Sequence, residues 1–264
     1  MKIHAQKNHK YMISDFYLKS ADDVMLAVPE IPNHPNILIP TSATVEDKCL
    51  YLHYTVCESG MTLREFIQQV NSSKSNVRTT VYNALHRMKP VAMILELIKI
   101  YEFMISENML VGQSNINPDN VWLEREPNGQ LKIFVLYTME SHVKCQWRTN
   151  SCCEYLPSEV IKEHMNLLYN DDTKPKLTRI DARVTPINVV YSLGLILYFV
   201  VSGYDAFDGY RVDPFEKPLI RNGTNPLVSK LIMSATEPDY KHRPSLSEWK
   251  QQMTEHKQFA CIMM

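Results

Sequence analysis

The sequence predicts an α+β fold, strand-rich toward its N-terminus and mainly helical beyond. Three observations carry this. Segments before residue 58 hold strand-type residues between turn residues, a long stretch of helical periodicity opens at Pro90, and "INVVYSLGLILYFVV" (187–201) is apolar on every side. A chain of 264 residues with 45% hydrophobic and 22% charged residues is globular in composition, neither disordered nor fibrous. Its length suits one large domain, or a large lobe with a small appendage.

The elements follow in order. "YMISDFYL" (11–18), "NILIPTSATV" (36–45) and "CLYLHYTVC" (49–57) are expected as short antiparallel strands bounded by Pro, Asn, Asp or Lys turns. "MTLREFIQQV" (61–70) has helical periodicity, with Thr62 as cap and Glu65 three residues on. That is a capping box, in which hydroxyl and carboxylate satisfy free amides of the first turn. "NSSKSNVRTT" is a polar linker. "PVAMILELIKIYEFMISENML" (90–110) is the longest clean helix, opened by a proline whose missing N–H is no loss at the first helical position.

"INPDNVWL" then reads as a tight turn into a strand, and "VWLERE-PNG-QLKIFVLY" as two strands around a Pro-Asn-Gly turn. A helix is expected from near Ser158, a polar loop over 170–186, and helices near 226–236 and 245–256. The run 187–201 contains Asn188, Ser192 and Gly194 and falls short of the roughly 18 apolar residues of a membrane span. It is expected as the buried centre of the domain.

The bulk numbers exclude some classes. A formal net charge of −1 gives no overall field favouring nucleic acid or acidic lipid. The seven glycines form neither G-x-G-x-x-G nor G-x-x-x-x-G-K-[ST], so no backbone cradle for phosphates is expected. Cys49, Cys57, Cys145, Cys152, Cys153 and Cys261 lack paired metal spacing, and "MKIHAQKNHK" has no apolar signal segment. Reduced thiols in a cytoplasmic, intracellular protein are the expectation.

The ordered strings resemble a protein kinase domain over roughly residues 30 to 257. "NHPNILIP" (33–40) is similar to the turn after the family's N-lobe helix. "CLYLHYTVCESGMTLREFI" resembles the hinge strand and following helix. "GQSNINPDNVWL" lies where the family has H-R-D-L-K-P-x-N and a strand, "LKIFVLY" where it has the strand ending in D-F-G, and "YLPSEV" at A-P-E. "VVYSLGLILYFVVSG" resembles the buried C-lobe helix and "EPDYKHRPSLSEW" the closing D-P-x-x-R-P-S. The resemblance implies a protein kinase-like fold with a reduced β-rich N-lobe over 1–57, a mainly α-helical C-lobe over 58–257, and a tail over 258–264.

Carried over position by position, the resemblance implies lost chemistry. The catalytic aspartate, which accepts the proton of the acceptor hydroxyl, is Asn115, and an amide is no base. Gln113 and Ser114 precede it, and Asn117 replaces the nearby lysine. Asn120, a metal-holding position, is retained. The metal-binding aspartate is Val135, followed by Leu136 and Tyr137. Phosphoryl transfer draws most of its rate from metal charge and positioning. The residues before His34 are too few for a full glycine loop, lysine strand and helix, though Lys19 and Glu30 could stand in for the strand lysine and its partner. Trp122 falls where the family has a medium aliphatic at the floor of the adenine pocket, and its bulk is expected to fill that space. Glu159 and Arg243 match a structural ion pair that ties the activation segment to the C-lobe.

Other signals remain. "CIMM" (261–264) fits a C-a-a-X farnesylation pattern at Cys261, and one prenyl chain implies only weak membrane association. Lys174, Lys176, Arg179 and Arg183 make the 170–186 loop a candidate surface for an acidic partner. Cys152, Cys153 and Tyr155 lie in the presumed activation segment. The expectation is a pseudokinase without enzyme activity and without cofactor or metal, acting as scaffold, decoy or allosteric regulator of a protein partner such as an active kinase. Two alternatives stand beside it. One is an unorthodox ATP-dependent transferase using Asn120 with Asp119 or Glu140; the other is a peptide-capture module.

Overall fold

The computed structural model describes residues 4–12, 32–46, 49–57, 59–72, 89–109, 116–126, 130–137, 155–157, 159–160, 185–207 and 217–262. Two sheets lie in the N-terminal half. The first has strand order β1-β4-β3, from β1 (His4–Met12), β3 (Ser42–Glu46) and β4 (Cys49–Cys57). All its pairings are antiparallel, β1 along its whole length from His4↔Cys57 to Met12↔Cys49. The hydrophobic pattern placed a strand at 11–18. A strand lies over the more polar 4–12, set by pairing to β4 and overlapping the expected one at Tyr11 and Met12, while residues 13–18 fall outside the described chain.

The second sheet has order β2-β7-β6-β5, from β2 (Ile37–Leu38), β5 (Met61–Thr62), β6 (Val121–Arg125) and β7 (Leu131–Leu136). Here β2 runs parallel to β7, so the expected wholly antiparallel arrangement is corrected to a mixed one. The "HPN" turn explains the parallel register. Asn36 Nδ2 donates to Ile133 O at 2.7 Å, while Val135 N donates back to Asn36 O at 2.9 Å. His34 Nδ1 accepts from Asn36 N at 3.1 Å, and its ring centroid lies 4.6 Å from that of Phe103. The two sheets are joined where Tyr54 Oη donates to Tyr137 O at 2.7 Å. A strand from before residue 58 thus completes a sheet whose other members come after it.

The helices are α1 (Leu63–Ser72), α2 (Pro90–Ser106), α3 (Pro186–Ser202), α4 (Pro226–Ala235) and α5 (Leu246–Ile262). The capping box of α1 forms: Thr62 N donates to Glu65 Oε2 at 2.8 Å and Glu65 N to Thr62 Oγ1 at 3.1 Å. α3 is buried from Asn188 through Val200 and packs against α2, α4 and α5. The contact with α4 is close enough that a Cβ on Gly194 would lie 2.6 Å from Ala235 Cβ. Trp249 of α5 is fully buried, its indole N–H donating to Leu231 O at 3.1 Å. Such all-round burial is what an apolar run without a polar face requires. Among the described residues, no helix is long and apolar enough to cross a membrane.

Candidate functional site

The segment entering β6 is shaped by one amide side chain. Asn117 Oδ1 accepts from Asp119 N at 2.8 Å and Asn120 N at 3.2 Å, capping the 3₁₀ turn Pro118–Asn120. Pro118 opens that turn where no N–H is needed. Asn117 and Asn120 are both buried, so neither amide is offered to water.

Beyond the turn, β6 and β7 pair Val121 with Val135 and Trp122 with Phe134. Val135 and Leu136 are fully buried, and Tyr137 nearly so. Trp122 is 4% exposed and faces Thr62 across β5. Its ring covers Gly60 so closely that a Cβ there would meet ring atoms at 2.6 to 2.7 Å. The indole N–H donates to Glu124 Oε1 at 3.3 Å, and the same oxygen accepts from Cys57 N at 3.1 Å. Glu124 thereby ties the end of β4 to the tryptophan.

A magnesium–nucleotide complex, which a kinase-like fold implies, finds a poor donor set here. Magnesium takes oxygen ligands in octahedral geometry, and the slot pairs the amide of Asn120 with the aliphatic side chain of Val135. These residues do not fit the group in the arrangement that a kinase-like fold implies.

A second cluster is ionic. Arg243, with its side chain fully buried, meets Glu159 in a fork: Nη1 to Oε1 at 2.6 Å and Nη2 to Oε2 at 2.8 Å. Its Nε donates to Glu237 O and its Nη2 to Pro238 O. The guanidinium stacks 4.7 Å from the ring centroid of Tyr191 on α3. Two planar groups matched in this way make one of the stronger charge-assisted contacts available.

A third cluster has no counterpart in the sequence reading. Arg64 of α1 donates through Nε to Asp119 Oδ2 at 2.8 Å and through Nη1 to Asp205 Oδ2 at 2.7 Å. Tyr155 Oη donates to Asp205 Oδ1 at 2.5 Å, and Arg64 lies 5.2 Å from the Phe199 ring centroid. Burial works against the charge on Arg64, but the bond to Asp205 and the charge of Asp119 raise its pKa above the ordinary value. The partners lie 55 and 141 residues away in sequence, so no local spacing signals them.

The structure therefore brings Glu159 to Arg243, places Asn117 and Asn120 on one turn, and sets Trp122 beside Gly60. Asn120 and Val135 lie near one another at the start of β6 and its partner strand. Gln113, Ser114 and Asn115 lie outside the described residues, as do Lys19, Glu30, Glu140, Cys152, Cys153, Lys174, Lys176, Arg179 and Arg183. Cys261 falls in the last turn of α5.

The mixed α+β architecture, with a small mixed sheet and packed helices, is compatible with a protein kinase-like fold. No family model matches the chain. Two mouse proteins are distantly similar. Sperm motility kinase 1 is 22% identical over 188 residues, 71% of this chain and 32% of that protein. The Tcr mutant form of sperm motility kinase is 23% identical over the same extent. The chain spans about a third of the length of these curated relatives. This weak, distant similarity points to the protein kinase-like superfamily. It also corrects the expectation that the chain is not an enzyme, since both relatives are named kinases. The physical reason is that a motif position lacking its usual group does not exclude another group supplying the chemistry.

Proposed function

We propose that the chain is a kinase-like signalling protein that works by holding a protein partner, with an active kinase as the partner class. The fork between Arg243 and Glu159 carries this reading. It anchors the 155–160 segment on the buried helix α3 and so keeps a helical platform in a defined shape. The placement of Trp122 supports a narrowed nucleotide cleft, in which the indole takes space beside Gly60 that a base would otherwise use. A reduced N-lobe over 1–57, a C-lobe over 58–257 and a modified tail at Cys261 belong to the same proposal.

Affinity capture with the full chain, compared with an unrelated bait of similar charge, tests it. A kinase retained by the wild type and by Trp122→Leu supports the reading. Retention of no protein above the control overturns it.

The names of the relatives favour a second reading, an ATP-dependent transferase of weak activity built on Asn120 and a carboxylate from the same turn. Asp119 is that carboxylate, and its Oδ2 is held by Arg64. Metal-dependent phosphate transfer that is lost on Asn120→Ala and on Asp119→Asn would establish it in place of the first.

A further inference from the structure

We propose that Arg64 is an ionic latch that couples the turn carrying Asn120 to the segment leading into Glu159. The coupling is a chain of charge-assisted contacts across four parts of the protein. Asp119 sits on the 3₁₀ turn, Arg64 on α1, Asp205 just after α3, and Tyr155 four residues before Glu159. Tyr155 is itself anchored, since its carbonyl accepts from Ser192 Oγ on α3 at 2.8 Å.

The physics of the latch is a charge balance. Two carboxylates converge on one guanidinium, whose side chain is 17% exposed while theirs are 43% and 29% exposed. With Arg64 in place, each carboxylate has an opposite charge within hydrogen-bond distance, and contacts of this kind are roughly twice as strong as neutral ones. Without it, two like charges share the same space, and Asp205 keeps only the tyrosine hydroxyl. Arg64 is 17% exposed where Arg243 is 0%, and Asp119 is 43% exposed where Glu159 is 28%, so salt weakens this cluster more than the Arg243 fork. The latch therefore passes a displacement of the segment carrying Tyr155 to the loop of Asn120. This coupling is independent of whether a partner protein is bound.

Native-state hydrogen exchange on the full chain tests it. The amides of Asp119 and Asn120 report the turn, and those of Leu195 and Leu197 in α3 report global opening. Tyr155→Phe removes only a hydroxyl that does not touch the turn. It is expected to speed exchange of the Asp119 and Asn120 amides about fivefold to tenfold relative to the α3 amides. In an Arg64→Gln background, the same tyrosine substitution is expected to add nothing at the turn. If Arg64→Gln fails to fold, Asp205→Asn breaks the chain at the next link and replaces it. Equal acceleration of turn and α3 amides, or an unchanged turn, overturns the proposal. So does a Tyr155→Phe effect of full size with the latch already broken.

Discussion

The Arg243 fork and the packing around Trp122 are built from opposite materials. At the fork, every polar group of a buried guanidinium is met by a carboxylate or a carbonyl, over an aromatic face. On β6 and β7, Trp122, Val135 and Leu136 present apolar volume and are all packed into the core. The difference shows which demands the chain still meets. Charges are kept where they organise packing.

Breaking the fork should have the largest effect. Arg243→Ala leaves Glu159 without its partner and removes the bonds to Glu237 and Pro238. A loss of about 3–5 kcal/mol is expected, read as a lowered urea midpoint. A loss under about 1 kcal/mol would place the fork among weak surface pairs.

The packing around Trp122 should resist added volume. Gly60→Ala puts a Cβ into the Trp122 ring, and overpacking of this kind costs about 1–3 kcal/mol. The double variant with Trp122→Leu should recover most of that cost. Loss of the turn cap is expected to be milder. Asn117→Ala removes the acceptor for two backbone amides and should cost about 1 kcal/mol, measured by thermal unfolding.

The smallest effect concerns pH at α5. Hydrogen bonds from Ser245 hold the Glu248 carboxyl below its ordinary value. A lowered folded-state pKa means that the contribution is complete above the ordinary carboxylate range and fades as pH falls through the lowered value. Ser245→Ala should flatten that part of the acid unfolding profile, with little change near neutrality.

Legibility in the sequence followed the range of the forces. The capping box of α1 and the all-round apolar helix α3 could be read because each is written in one continuous stretch of chain. Glu159 and Arg243 could be paired only through the resemblance, since 84 residues separate them. The parallel pairing of β2 with β7 and the strand over 4–12 escaped the hydrophobic pattern, because partner strands set them. The Arg64 cluster escaped entirely. An arginine one residue after the start of a helix, two aspartates in distant loops and a tyrosine form no motif until the fold collects them.

The proposed narrowing of a nucleotide cleft by the indole of Trp122 is open to direct measurement. Thermal unfolding of the wild type and of Trp122→Leu, each titrated with ATP and magnesium, tests it most directly, because tighter binding raises the midpoint by mass action. A larger ATP-dependent rise is expected for Trp122→Leu than for the wild type. An equal or larger rise in the wild type would contradict it.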